Sequence, residues 1–404
     1  MVICVTVRSY TLSAPPPTGE QSVWRLMTAR GSLARRLDWP LTLSAVALTT
    51  LGTLLVYSAT RNRTDLNNGE PEFFLMRQLL NVAIALGLCA LVVWYGYLRL
   101  RAAVPMLYLL CVVLSLLVLT PLGSTVNGSR SWLQLPGGFA FQPSELAKIG
   151  VILAMALLLA APGDNERRDG PDSRTVLQAL LVVAVPAALV MLMPDVGQTM
   201  VLAVIALGVL AASGTGRAWI LGLVTLGVAG AVAVWQVGLL DEYQINRFAA
   251  FANPALDPAG VGYNTNQARI AIGSGGLFGQ GLFHGSQTLG QFVPEQHTDF
   301  VFTVAGEELG FLGAGLIIAL LGVVLWRGCR IAREAPDPYG TIVAVGIVSW
   351  VAFQTFQNMG MALGIMPVTG LPLPFLSYGG SSMFAIWIGV GLLLAIRVRS
   401  RTRM

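Results

Sequence analysis

The chain alternates long apolar runs with short polar connections. A membrane-spanning helix needs ~20 mostly apolar residues. Ten runs approach that length, at about residues 40–59, 74–95, 103–121, 144–161, 175–193, 196–213, 217–240, 300–326, 340–363 and 382–397. Each predicts a spanning helix. Only Pro194-Asp195 separates the fifth from the sixth, which predicts a tight turn between antiparallel helices. Three connections on one side are long: Leu122–Pro143, Asp241–Asp299 and Gly364–Ser381. Long loops are uncommon and often functional.

Composition agrees with lipid contact. The chain is 55% hydrophobic and 11% charged, against about 25% charged in a soluble protein. Gly and Pro are abundant, and membrane helices tolerate both where neighbours satisfy the freed backbone groups. The net charge of +5 comes almost wholly from arginine, Lys148 being the single lysine. Those arginines gather at segment ends, which reads as topology and not as nucleic-acid binding. With the N-terminus inside, every inner connection is basic: Arg35 and Arg36, Arg99 and Arg101, Arg167 to Arg174, Arg217, Arg327 to Arg333, and the tail from Arg397. An even helix count returns the C-terminus to the same cytoplasmic side.

The expectation is therefore an all-α, polytopic membrane protein of ten transmembrane helices. Both termini are cytoplasmic, and a long extracytoplasmic loop (241–299) joins helices seven and eight. One domain spans 38–397. Residues 1–37 form a disordered extension, with Met27 an alternative start, and 398–404 a basic tail. The N-terminus lacks the apolar core of a signal peptide. The four cysteines, Cys4, Cys89, Cys111 and Cys329, suggest neither a disulfide framework nor a zinc site.

Ionisable residues within spans are costly and mark function by default. Here they are Arg77, Glu145, Lys148, Asp195, Asp299, Glu307 and Glu308. All fall in the outer half of the bilayer, which suggests one polar cavity open to the outside; separate helix-packing ion pairs are the alternative. Glu145 and Lys148, three apart, share a helix face. They form either a local ion pair or a phosphate-binding unit. Pro294-Glu295-Gln296-His297-Thr298-Asp299-Phe300 holds three titratable groups. Position alone favours Asp299 as a helix N-cap over a general base. His284 and His297 lack an obvious third metal ligand.

Gly273–Gly281 looks like a nucleotide loop but has neither the lysine nor the strand–loop–helix context of one. Pro367–Ser382 is apolar yet broken by Pro and Gly. That predicts a re-entrant segment, since non-helical backbone at membrane depth must be buried or line a cavity.

Six segments in order resemble the SEDS family of bacterial cell-wall proteins: Asn127–Leu133, Phe141–Lys148, Pro194–Gly197, Pro294–Phe300, Gly306–Gly310 and Pro367–Ser382. The resemblance covers about residues 38–397. Ile270–Gly276 and Phe292–His297 look more like the family's elongation member RodA than its division member FtsW. The resemblance implies a peptidoglycan glycosyltransferase that polymerises lipid II at the outer face of the cytoplasmic membrane, beside a class B penicillin-binding protein. It places the essential aspartate on Asp299. Substrate contacts fall on Arg77, Trp132, Glu145, Lys148, Arg247, His297, Ser377 and Tyr378. No resident cofactor is implied with certainty. Lys148, Arg77, Arg247 or a divalent cation (Mg or Mn) would neutralise the pyrophosphate. The rivals are a lipid II flippase or other transporter, a non-catalytic scaffold, and an FtsW-type division polymerase.

Overall fold

The computed structural model describes residues 36–63, 69–126, 129–135, 139–160, 170–237 and 261–403. Contacts divide the chain into Met1–Leu37 and Asp38–Met404, and the fold below is that of the second unit. The expected disorder of residues 1–37 falls almost wholly outside the described residues.

Helix α1 (Trp39–Thr60) begins at Asp38, whose carboxylate accepts from the Leu41 N–H at 3.3 Å. Capping of this kind satisfies a helix-start N–H that has no partner within the helix. Helices α2 (Phe73–Tyr95) and α3 (Tyr97–Leu119) are separated by Gly96 alone, whose φ of 83° reverses the chain. The sequence reading starts α3 near residue 103. It misses the first turns because Arg99 and Arg101 there are charged, and long arginine stems lie along apolar surface.

Between α3 and the next helix lies a three-stranded antiparallel sheet in the order β1 (Gly123–Val126), β2 (Ser129–Leu135), β3 (Phe139–Phe141). Gly123 pairs with Leu133, and Leu133 with Phe141. The fold is mostly helical, and this small sheet is an addition to the all-α expectation. Strands this short make no apolar run, so a hydropathy reading passes over them. The Arg130 guanidinium fastens the sheet to the end of α3, donating to the Thr120 carbonyl at 2.6 Å and the Gly123 carbonyl at 3.2 Å.

Helix α4 (Pro143–Leu159) is buried along most of its length and packs on α3, α5, α6 and α12. Helices α5 (Ser173–Leu192) and α6 (Val196–Ala212) meet at the expected turn, where Asp195 caps α6 through the Gln198 N–H at 3.1 Å. After α7 (Arg217–Val237), the described chain resumes at α8 (Val261–Ser274) and the single turn α9 (Ser286–Leu289). The long connection therefore contains helix.

The eighth apolar run is two helices, α10 (Val301–Glu308) and α11 (Gly310–Arg333). Gly310 stands at the break with φ 68°, and Gly279 N lies 2.2 Å from where a Cβ would sit. Only glycine meets both conditions without strain. Helix α12 (Pro338–Leu363) is capped by Asp337, which accepts from the Gly340 N–H at 2.8 Å, and ends at Gly364 in the left-handed region. Helix α13 (Gly380–Arg403) carries most of the basic tail as helix and packs along α2.

Each of the ten apolar runs overlies a helix, the eighth overlying two. Among the described residues, seven helices (α1, α2, α3, α5, α11, α12 and α13) are long and apolar enough to cross a membrane, by length and composition. Helices α4 and α6 are shorter, at 17 residues each. At one end of the bundle Asp38 accepts two bonds from Arg327 of α11, at 2.9 and 2.5 Å, tying the start of α1 to the end of α11. Arg397 of α13 bonds Glu334 and lies 3.6 Å from Asp38.

Candidate active site

The Pro294–Phe300 motif coils into a turn before α10. The Glu295 carbonyl receives the amides of Thr298, Asp299 and Phe300 at 3.3, 3.0 and 3.1 Å. Glu295 itself has φ 52°, an uncommon conformation for a residue with a side chain. The turn delivers Asp299 to the mouth of α10, where the N-cap is Phe300, which makes no side-chain cap bond of its own. The capping reading of Asp299 is therefore overturned.

Asp299 is partly exposed. Its backbone carbonyl accepts from Asn358 Nδ2 on α12 at 2.7 Å. Its Oδ2 lies 3.4 Å from the position a Cβ on Gly370 would occupy. Gly370 has φ 70°, so a glycine there keeps the backbone unstrained and leaves the space beside the carboxylate open.

His297 is buried, and its ring meets the Phe74 ring at 5.2 Å and the Tyr378 ring at 5.7 Å. The Tyr378 N–H donates to the His297 carbonyl at 2.8 Å. Arg77 lies over the Phe73 ring at 4.3 Å and acts electrostatically on the Tyr378 hydroxyl. Arg77, His297 and Tyr378 thus gather in one corner around the Phe73 and Phe74 rings, two positions along the chain from Asp299 at His297. Ser377 is turned inward: its hydroxyl accepts from the Leu373 N–H at 2.7 Å and closes its own turn.

Glu145 and Lys148 form the ion pair their spacing allows, at 2.8 Å, and Lys148 is fully buried. Lys148 also donates to Gln354 Oε1 at 3.0 Å and sits 4.8 Å from the Trp350 ring centre. Glu145 Oε1 accepts from Gln198 Nε2 at 2.6 Å. The pair joins α4, α6 and α12 from the interior, and in this arrangement neither side chain reaches solvent. Burial of a charge requires such partners.

Among the described residues the polar groups bond in several sets, of which Asp195, Gln198, Glu145 and Lys148 form one. Glu307 accepts the Gln287 and Thr288 amides at 2.6 and 2.9 Å and the Thr288 hydroxyl at 2.7 Å, so it fastens the loop around α9. Glu308 accepts from Ser58 at 2.5 Å and joins α10 to α1. Asp195 accepts from Gln142 Nε2 at 3.2 Å. Trp132 lies on β2, partly exposed, in the sheet that packs on α4 and α13. Arg247 lies outside the described residues. A cavity of ≈ 450 Å³ lined by Leu159, Ser213, Asp337 and Thr341 sits at the far end of α4 from Glu145, roughly 20 Å away at 1.5 Å per residue. None of the candidates lines it.

Among the described residues no three His, Cys, Asp or Glu side chains gather as a metal site.

Sequence reasoning missed the amide row of α12. Gln354 donates to the Pro372 carbonyl at 2.8 Å and Gln357 to the Pro367 carbonyl at 2.9 Å. Asn358 donates to the carbonyls of Leu371 and Asp299, each at 2.7 Å. These amides satisfy the non-helical Pro367–Ser382 backbone, which is how such a segment survives inside a bundle. A signal was present: amides at 354, 357 and 358 share one face of an apolar helix.

The fold and this corner define a polytopic membrane protein in which the partly exposed Asp299 is bonded to α12 and lies beside the irregular Pro367–Ser382 segment. A family model described as FtsW/RodA/SpoVE, cell cycle protein, matches residues 39–402. The chain belongs to that family, the SEDS family to which the motifs pointed. It is 38% identical over 365 residues to stage V sporulation protein E of Bacillus subtilis, covering 90% of this chain and 98% of that one. It is also 38% identical to the probable peptidoglycan glycosyltransferase FtsW of Trichlorobacter lovleyi, covering 89% and 92%. A chain from a peptidoglycan synthase complex, solved to show how polymerization and crosslinking are coordinated, superposes with a TM-score of 0.74 at 31% identity, covering 90% and 98%. The rod shape determining protein RodA of Thermus thermophilus superposes with a TM-score of 0.64 at 30% identity, covering 89% and 96%.

Proposed function

We propose that this chain is a peptidoglycan glycosyltransferase that polymerises lipid II, with Asp299 as its general base. The observation that carries the reading is Asp299 itself. The residue is partly exposed, Phe300 and not Asp299 is the α10 N-cap, and its carboxylate lies 3.4 Å from the position a Gly370 Cβ would take.

In the reaction, Asp299 accepts the proton of the acceptor sugar's 4-hydroxyl. The hydroxyl oxygen forms a bond to the donor's anomeric carbon, with inversion. The bond from that carbon to the pyrophosphate oxygen breaks, and undecaprenyl pyrophosphate leaves with the electron pair. The proton then passes from Asp299 to solvent. A positioned base of this kind contributes about 10²–10⁴-fold. A lipid pyrophosphate leaves without a proton donor, so one carboxylate suffices. Arg77, partly exposed beside Tyr378, is the described cation best placed to meet the leaving charge. Lys148 acts from the interior, holding Gln354 and through it the Pro372 carbonyl.

The same reading assigns ten spans with both termini in the cytoplasm, the bacterial inner membrane as location, and the loop side outside. A class B penicillin-binding protein is the proposed partner, supported by the synthase-complex likeness. Elongation is the proposed setting, on the RodA-like Ile270–Gly276 and Phe292–His297 segments. A strain depleted of this chain that becomes round supports elongation, whereas filaments support division.

Lipid II supplied to the purified chain with its transpeptidase tests the activity. Polymer that forms with the native chain and not with Asp299→Ala supports the reading. A chain that moves lipid II across vesicles without making polymer is a transporter.

A further inference from the structure

The α10 ladder begins at Phe300, whose carbonyl takes the Thr303 N–H at 2.9 Å. The carbonyl of Asp299, one residue earlier, is instead held by Asn358 Nδ2 at 2.7 Å. The same nitrogen holds the Leu371 carbonyl at 2.7 Å, next to Gly370. An amide nitrogen carries two N–H groups, so both bonds are satisfied at once. Asn358 is fully buried and sits on α12, a helix of 26 residues that also carries Gln354 and Gln357. One rigid side chain thus grips the backbone on both sides of the gap between the Asp299 carboxylate and Gly370.

We propose that Asn358 is the positioning residue for Asp299. It acts through the backbone: fixing the Asp299–Phe300 peptide plane fixes the direction in which the side chain leaves Cα. Fixing Leu371 sets the opposite wall, against which the acceptor hydroxyl must fit. Asn358 touches no substrate. Its effect is therefore on the rate of the bound complex and not on binding. Misplacing a reacting group by about 1 Å costs on the order of 10²-fold. The proposal rests on Asp299 being the base.

The test compares Asn358→Leu, Asn358→Asp and Asn358→Gln in the full-length chain, co-purified with its transpeptidase and supplied with lipid II. Leucine is close in volume and donates nothing. Aspartate keeps the shape but, protonated against two carbonyls, has one donor where asparagine has two. Glutamine keeps the donor on a longer stem. The expected result is a fall in kcat of roughly 10–100-fold for the leucine and aspartate variants, with KM for lipid II within about twofold. Glutamine should recover part of the loss. Melting temperature is read alongside, and if leucine does not yield folded protein, the aspartate and glutamine variants carry the comparison. A kcat per folded enzyme within twofold of native for Asn358→Asp overturns the proposal, as does a loss wholly in KM. Asp299→Asn is run in parallel. If that variant polymerises normally, the base assignment falls and takes this one with it. If it is inactive while Asn358→Asp is normal, only the positioning role falls.

Discussion

Asn358 on α12 and Asp299 at the end of the long loop are joined by a 2.7 Å hydrogen bond, side-chain amide to backbone carbonyl, across 59 positions of sequence. The bond makes the geometry of the carboxylate a property of α12 as much as of its own loop. It also connects the two halves of the site, because Gln354, one turn away on the same helix, takes the Lys148 ammonium.

Asp299→Asn and Asp299→Ala should each abolish lipid II polymerisation, a loss of at least about 10²-fold. Neither should cost the α10 N-cap, which is Phe300, so both should still unfold cooperatively. Gel analysis of glycan products checks the first, and thermal unfolding in detergent the second. Strong polymerisation by either variant would exclude Asp299 as the base.

Gly370→Ala should slow polymerisation several-fold. An L-residue held at φ 70° costs about 1–2 kcal/mol, and the new methyl would stand 3.4 Å from Asp299 Oδ2. Gly370→Val should be worse, since a branched Cβ fits that conformation less well. Rates unchanged in both variants would show that the space beside the carboxylate is not used.

Lys148→Met alone leaves Glu145 charged and buried, and should destabilise by about 3–5 kcal/mol. The double variant Glu145→Leu, Lys148→Met should recover much of that loss. A double-mutant cycle on chemical or thermal unfolding measures it. Stability and activity that return together would make the pair purely structural. Stability that returns without activity would support the role of Lys148 in holding Gln354 and the Pro372 carbonyl.

Arg327→Leu should cost a similar about 3–5 kcal/mol, because it strips both bonds from Asp38, which is fully buried. Arg327 lies near the end of α11 farther from α10, so kcat per folded molecule should stay near native. A kcat that falls with no change in melting temperature would contradict this division.

Glu307→Ala removes the acceptor for two amides and a hydroxyl around α9. Hydrogen exchange at Gln287 and Thr288 should accelerate, since those amides lose their partner. Unchanged protection there would mean that packing alone holds the loop.

Much of this protein is legible in one dimension. Spans such as Trp39–Thr60 and Phe73–Tyr95 follow from runs of apolar residues, because a helix in lipid must be apolar over its whole length. The turn at Asp195 and the Glu145–Lys148 pair follow from helix geometry over a few residues. Motif order was enough to identify the family. The strands β1 to β3 were not legible, since each is stabilised by its neighbours and not by its own pattern. Nor was the break at Gly310, which exists because the Leu277–Gly279 backbone lies against it.

The sequence by itself thus determined which segments are apolar enough to form the helices of the bundle and which residues could bear charge there. Only the tertiary structure decided what those residues do. It took Asp299 from the cap position, sealed Lys148 inside the bundle, separated Glu307 and Glu308 from the site, and set Asn358 against Asp299. The physical reason is range. Burial of an apolar run is a local property of composition, whereas the partner of a buried polar group is chosen by packing between segments far apart in the chain.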